Sequence, residues 1–172
     1  MRRVWYSVAM SLDGFIANRN GEVDWIVVDP DIDFQSLFSK FDTVLMGRKT
    51  YEESRRLGGA DGGMPGLSAY VISRTLAAED CPGATLIDTP RETLAALKQQ
   101  PGKEIWLMGG GLLFRALLEM GLVDRVEVAI LPILLGGGVP MLPHRADSSR
   151  LQLVNHTVYP KTGTVLLEYE PA

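Results

Sequence analysis

Short apolar runs rich in β-branched residues alternate with segments of helical spacing along most of this chain, and that alternation limits its possible folds more than any single residue does. Residues 4–10 form a strand candidate. Phe34, Leu37, Phe38 and Phe41 then recur at i, i+3, i+4 and i+7, which is one face of a helix. "TVLM" reads as a short buried strand stopped by Gly47, and Thr50 with Glu53 has the spacing of a capping box at a helix start. "AYVIS" and "ATLID" are further strands, "RETLAALKQQ" is a helix closed by Pro101 and Gly102, and "EIWLM" precedes a helix carrying Leu112, Leu113, Ala116, Leu117 and Met120. "RVEVAIL" begins a more antiparallel tail, in which "LQLVNHTVY", the turn "PKTG" and "TVLLEY" make a closing hairpin. The order predicts an α/β fold: a mostly parallel central sheet, helices on both faces and an antiparallel C-terminal edge.

With 172 residues, 46% of them hydrophobic, the chain fits one core and one domain, 1–172. "GGADGGMPG", residues 58–66, reads as a mobile surface loop within it. The formal net charge of −4, with both signs interspersed, offers no basic stripe for nucleic acid and no polybasic arm for a membrane. A small solute is the expected partner. Cys81 stands alone, no segment reads as a signal peptide or a membrane span, and the expected location is the cytoplasm. His144 and His156 lack ligand spacing, so no metal site is expected.

Gly109, Gly110 and Gly111 sit between a strand and a helix, where backbone N–H groups at the positive end of a helix dipole make an anion site. The triplet is not G-x-G-x-x-G, because Phe114 takes the place of the last glycine, and a tight packed turn explains it as well. A second turn, "MGRKTY", again leaves a strand through glycine, now with Arg48, Lys49 and Thr50 at the helix entrance. A third strand end supplies Ser73 and Arg74. Amides at one turn and guanidinium and hydroxyl groups at others suit a ligand with several phosphates, a dinucleotide rather than free phosphate.

"SVAMSLDGFIA", "TVLMGRKTYE", "AYVISRTL", the long block from "EIWLMGGG" to "LLGGGVPML" and the closing hairpin together resemble the dihydrofolate-reductase-like superfamily, in its branch with the reductase domain of bacterial riboflavin biosynthesis. The resemblance implies an eight-stranded mostly parallel sheet, NADPH as cofactor and hydride transfer to a small heterocyclic or carbonyl substrate. It implies Gly47, Arg48, Lys49 and Thr50 on the cofactor's phosphates, with Arg48, Ser73 and Arg74 around the 2'-phosphate. Gly109, Gly110, Gly111 and Leu112 would take the pyrophosphate and approach the nicotinamide, whose carboxamide would meet backbone groups of Ala9 and Ile16. A homodimer is implied as well, and the apolar stretch "VEVAILPILL" is the expected contact. The zinc deaminase ligands often fused to the riboflavin enzyme are absent, so a stand-alone reductase is expected.

Reducing C=N or C=O leaves nitrogen or oxygen in need of a proton, which a carboxylate or a water it orients can supply. By position, the resemblance points to Asp31, with Asp29 and Asp33 close enough to exchange with it; an Asp before a helix is also an ordinary N-cap. Asp13, in "SLDG", would contact substrate or simply make its turn. "LLGGGVPML", residues 134–142, is expected on the substrate or dimer side. The alternatives are a true dihydrofolate reductase and a non-catalytic NADP-binding module.

Overall fold

The computed structural model describes residues 1–58, 66–144 and 147–172. Most of the loop expected at residues 58–66 lies outside them. The chain runs β1 (Val4–Ser11), β2 (Phe15–Ala17), α1 (Phe34–Ser39), β3 (Phe41–Gly47), α2 (Arg48–Gly58), β4 (Ser68–Ile72), β5 (Ala84–Ile87), α3 (Pro90–Gln99), β6 (Glu104–Gly109), α4 (Gly111–Glu119), β7 (Arg125–Leu131), β8 (Val139–Pro140), β9 (Leu151–Tyr159) and β10 (Thr164–Pro171).

Eight strands form one sheet in the order β5-β4-β3-β6-β1-β7-β10-β9. The pairs from β5 to β7 are parallel, and β10 is antiparallel to both β7 and β9. Strand alternation sends Val4 and Tyr6 to one face and Trp5 to the other. The first face carries the larger core, in which Leu94 and Leu97 of α3 and Leu113, Phe114 and Leu117 of α4 pack on Val4, Tyr6, Leu107 and Val128. The Tyr6 and Phe114 rings stack there at 3.8 Å. On the opposite face, Tyr51 of α2 and Phe38 of α1 pack against Trp5, Val44, Met46, Val71 and Trp106.

Three local expectations need correction. Phe41 completes the helical spacing in sequence, but it is buried as the first residue of β3, and α1 is a six-residue helix with no buried residue. Its apolar set is divided between helix and strand, which a single period cannot reveal. Thr50 lies inside the first turn of α2, which begins at Arg48, so it does not cap that helix. "VEVAILPILL" largely becomes β7, an interior strand between β1 and β10 with Val126, Val128 and Leu131 buried in the chain's own core. Its first part is therefore largely covered by the chain itself, while Pro132 and Leu134 beyond β7 are exposed. The sequence reading also missed the small antiparallel ribbon of β2 and β8.

Candidate functional site

The three turns singled out in sequence leave β3, β4 and β6, and these strands are neighbours in the sheet. From this point the chain departs in opposite directions, through α2 to β4 on one face and through α4 to β7 on the other. Ligands of open α/β sheets bind at such a switch point, outside the carboxyl ends of the strands. A Cβ placed on Gly47 would lie 3.8 Å from the Gly109 carbonyl and 3.9 Å from the Gly110 nitrogen, so the two helix entrances touch.

The glycine triplet divides into two jobs. A Cβ on Gly109 would meet nothing within 4 Å, and one on Gly110 only the Thr50 hydroxyl at 3.7 Å. Gly109 has free space on its Cβ side, and Gly110 has the Thr50 hydroxyl in van der Waals contact. Gly109 has φ +140, a conformation that favours glycine, and the peptide to Gly110 is cis. Gly111 faces the chain itself: a Cβ there would stand 2.6 Å from the Pro140 carbonyl and 2.8 Å from that of Met141. What approaches Gly111 is β8 and the residue after it. Leu112 follows as an exposed residue in the first turn of α4.

Arg48 reaches across to the end of β4, where its Nη1 donates to the Thr75 hydroxyl at 3.3 Å, while its Nε is paired with Glu52 at 2.7 Å. Arg74 and Lys49 are exposed and make no ion pair among the described residues. Ser73 is buried, and its oxygen accepts from the amides of Thr75 and Leu76, so its hydroxyl orders the turn that presents Arg74 and Thr75.

Next to these turns the sheet forks. The β1–β6 pairing ends at Tyr6 and Leu107, whereas β1 stays on β7 as far as Ser11. The Arg3 carbonyl accepts from Ile105 and the Val4 carbonyl from Asp124, so odd-numbered residues of β1 turn their main-chain groups toward β6. Ala9 is therefore turned into the fork. Ile16 is half-buried in the middle of β2.

The carboxylates lie beyond the fork, and each is engaged. Asp13 accepts from the Ser11 hydroxyl and from the amides of Leu135 and Gly136. The Ser11 bond first, and then the two amides, outweigh desolvation and hold its pKa below the ordinary carboxylate value. Residues 134–142 thus fold back on their own chain: Asp13 holds Leu135 and Gly136, Arg19 donates to the Gly136 carbonyl, and β8 pairs with β2. Asp31 is exposed and pairs with Lys161 at 2.6 Å. Asp33 caps α1 by accepting from Ser36.

Asp29 is the fully buried member of the acidic group. It accepts from the Asp31 amide and from the Thr162 amide and hydroxyl, all at 2.9 Å, which fastens the segment before α1 to the β9–β10 turn. Burial pushes its pKa up, but these bonds and the Lys161 charge outweigh burial and leave it below the usual value. Its burial and its partner Thr162, far away in the chain, leave no local sequence signal. Between the fork and this turn the sheet carries Glu127, also buried, which accepts from Ser7 at 2.5 Å and lies 3.7 Å from Lys40.

The chain is similar to proteins of the reductase family it resembles in sequence. It is 33% identical to the uncharacterized protein YyaP of Bacillus subtilis, over 98% of this chain and 94% of the relative. Among solved structures, a putative riboflavin biosynthesis protein from Shewanella sp. PV-4 superposes with a TM-score of 0.81 at 26% identity, covering 100% of this chain and 99% of the other. Dihydrofolate reductase from Enterococcus faecalis, complexed with NADP(H) and RAB-propyl, shares the fold with a TM-score of 0.72 at 17% identity, covering 98% of this chain and 96% of the other. Among the described residues, no helix is long and apolar enough to cross a membrane. The model of the RibD C-terminal domain matches residues 2–165, and with that extent of match the chain belongs to the RibD C-terminal domain family.

Proposed function

We propose that this chain is a single-domain NADPH-dependent reductase that acts in the cytoplasm on a small heterocyclic or carbonyl substrate. The observation that carries the reading is the junction of three neighbouring strand ends: beside Gly47, a Cβ on Gly109 would meet nothing within 4 Å and one on Gly110 only the Thr50 hydroxyl, and Arg48 reaches the β4 turn that bears Arg74. Backbone amides at the entrance of α4 suit a pyrophosphate, and exposed guanidinium groups suit a 2'-phosphate. Gly47, Lys49, Thr50 and Leu112 would complete the cradle, with Ser73 ordering its rim. Ala9 in the fork, with Ile16, would meet the ring end. When bound, the cofactor supplies a hydride; the chain's residues hold it, shield it and provide a proton.

For the proton we retain Asp31, as its source or as the group that orients a water; its carboxylate is exposed and paired with Lys161 at 2.6 Å. Replacing Asp31 with Asn is expected to lower hydride transfer and leave NADPH affinity nearly intact. Unchanged turnover across pH would remove Asp31 from the chemistry and turn attention to Asp13 or a water. A second reading, a dinucleotide-binding module without turnover, is favoured by one observation: Asp13, Asp29, Asp31 and Asp33 are all engaged by protein groups. Calorimetric titration with NADPH tests binding, and NADPH consumption over a panel of imines and carbonyls separates enzyme from module.

The proposed homodimer draws support from the edge strand β9, which leaves Leu151, Leu153, Val154 and Val158 exposed. Sedimentation showing only monomer at micromolar concentration would remove it.

A further inference from the structure

The fork between β1 and β6 raises a problem of hydrogen bonding. In its pairing with β3, β6 steps from Leu107 to Gly109 while β3 steps only from Leu45 to Met46, so Met108 is an extra residue that breaks the alternation of β6. Beyond Leu107 the strand no longer pairs with β1. The first main-chain carbonyl of β1 left in the gap is that of half-buried Ser7, and a carbonyl withdrawn from water without a donor is costly.

Trp106 resolves it. Its indole Nε1 donates to the Ser7 carbonyl at 3.1 Å. The ring is 8% exposed and is held from the other side by Phe38 of α1 at 5.2 Å and by Phe41 at 6.1 Å. The side chain of one strand therefore fills the position that the partner strand's amide has left. Ser7 is fixed a second time, through its hydroxyl, on Glu127. With Ser7 closed off, the next residue of β1 facing the gap is Ala9, two positions and about 6.6 Å farther out.

We propose that Trp106 is a positioning residue: its indole N–H floors the fork at Ser7 and makes Ala9 the first open main-chain rung on which the ring end of the dinucleotide docks. The identity of that ligand rests on the function proposed above; the closing of the fork does not. Without the indole N–H, Ser7 becomes a competing rung, the docking depth is no longer single-valued, and the fraction of protein presenting the productive rung falls.

The test compares the unmodified protein with Trp106→Phe and with a variant carrying 3-benzothienylalanine at position 106, which replaces the indole N–H by sulfur and keeps the ring size. NADPH and adenosine 2',5'-bisphosphate, which lacks the nicotinamide half, are titrated into each by calorimetry. Hydrogen exchange is followed through residues 7–11. The expected result is NADPH weakened by about tenfold in both variants, as for loss of a partly buried hydrogen bond, with the bisphosphate unchanged and exchange faster. Unchanged NADPH affinity overturns the proposal, and so does an equal loss for both ligands, which marks a merely structural role. If the unmodified protein binds neither ligand, the cofactor reading fails alone; exchange through residues 7–11 then decides, faster exchange supporting Trp106 as the floor and unchanged exchange removing it.

Discussion

The two sides of the crevice are built on opposite plans. On the side of β3, β4 and β6 there is room for a ligand: a Cβ on Gly109 would meet nothing within 4 Å and one on Gly110 only the Thr50 hydroxyl, and Arg74 and Lys49 are exposed. On the side of α1 and the β9–β10 turn, the acidic groups hold the protein together. Asp29 joins residues 29–31 to Thr162, Asp13 holds Leu135 and Gly136, and Asp33 caps α1. A nucleotide cradle can be prepared by backbone geometry alone, because glycine turns and helix entrances need no side chain to reach out. An acid–base site needs a carboxylate with a free oxygen, and its bonding to other residues decides whether it has one.

The sharpest way to break this comparison lies within the glycine triplet. Gly111→Ala must displace the Pro140 and Met141 carbonyls, which are backbone and yield little, and is expected to cost on the order of 2 kcal/mol and to lower the melting temperature by roughly 4–8 °C. Gly110→Ala meets only the Thr50 hydroxyl and has an extended backbone that alanine adopts, so its melting temperature should stay close to that of the unmodified protein while NADPH binds less tightly. Calorimetric scans and titrations of the two variants check both. If Gly110→Ala unfolds as readily as Gly111→Ala, the division of the triplet is wrong.

The structural role of Asp29 predicts a pH dependence. Its folded-state pKa lies below the ordinary value, so its contribution to stability is fully present above the unfolded carboxylate pKa of about 3.9 and is lost as the pH falls from there through the depressed folded value. Asp13, and Asp42, which pairs with Arg2 and accepts from the Lys103 amide, are shifted in the same direction and add to the slope. Asp29→Asn should lower stability at neutral pH and flatten the acid limb, measured by urea unfolding as a function of pH. An unaltered acid limb would remove Asp29 as the clasp between the two segments.

On the open side, Arg74→Ala or Arg48→Ala should reduce NADPH affinity by about tenfold and scarcely affect NADH, since a charge-assisted bond to the extra phosphate is worth about 1.5–3 kcal/mol before screening. Equal losses for both nucleotides would move these arginines away from the 2'-phosphate. The smallest expected effect is that of Glu52, which competes for the Arg48 guanidinium at 2.7 Å. Glu52→Gln should tighten NADPH by roughly twofold at low salt, in line with the modest worth of an exposed i,i+4 pair, and the gain should fade as salt rises.

The sequence was most readable where local chemistry decides the structure. The strand runs, α3, α4 and the closing hairpin follow from periodicity and turn residues, and the order of the motif blocks pointed to the family. Arg48 and Arg74 could be named because each stands at the end of an apolar strand. Phe41 misled because its spacing fits a helix while its burial belongs to β3. Asp29, Thr162, Trp106 and Ser7 were not legible, because each owes its role to a partner distant in the chain: Thr162 for Asp29, and Ser7 for Trp106. Long-range pairs leave no mark in a local window. The cover over the β7 part of the apolar run was hidden for the same reason, since only the sheet order reveals β10 lying beside it.

The central claim is that the junction of the β3, β4 and β6 ends holds a dinucleotide bearing a 2'-phosphate. Titrating the unmodified protein with NADPH and with NADH at low salt tests it most directly. The account predicts at least about tenfold tighter binding of NADPH, with the gap narrowing as salt is added. Equal affinity for the two nucleotides at low salt would contradict it.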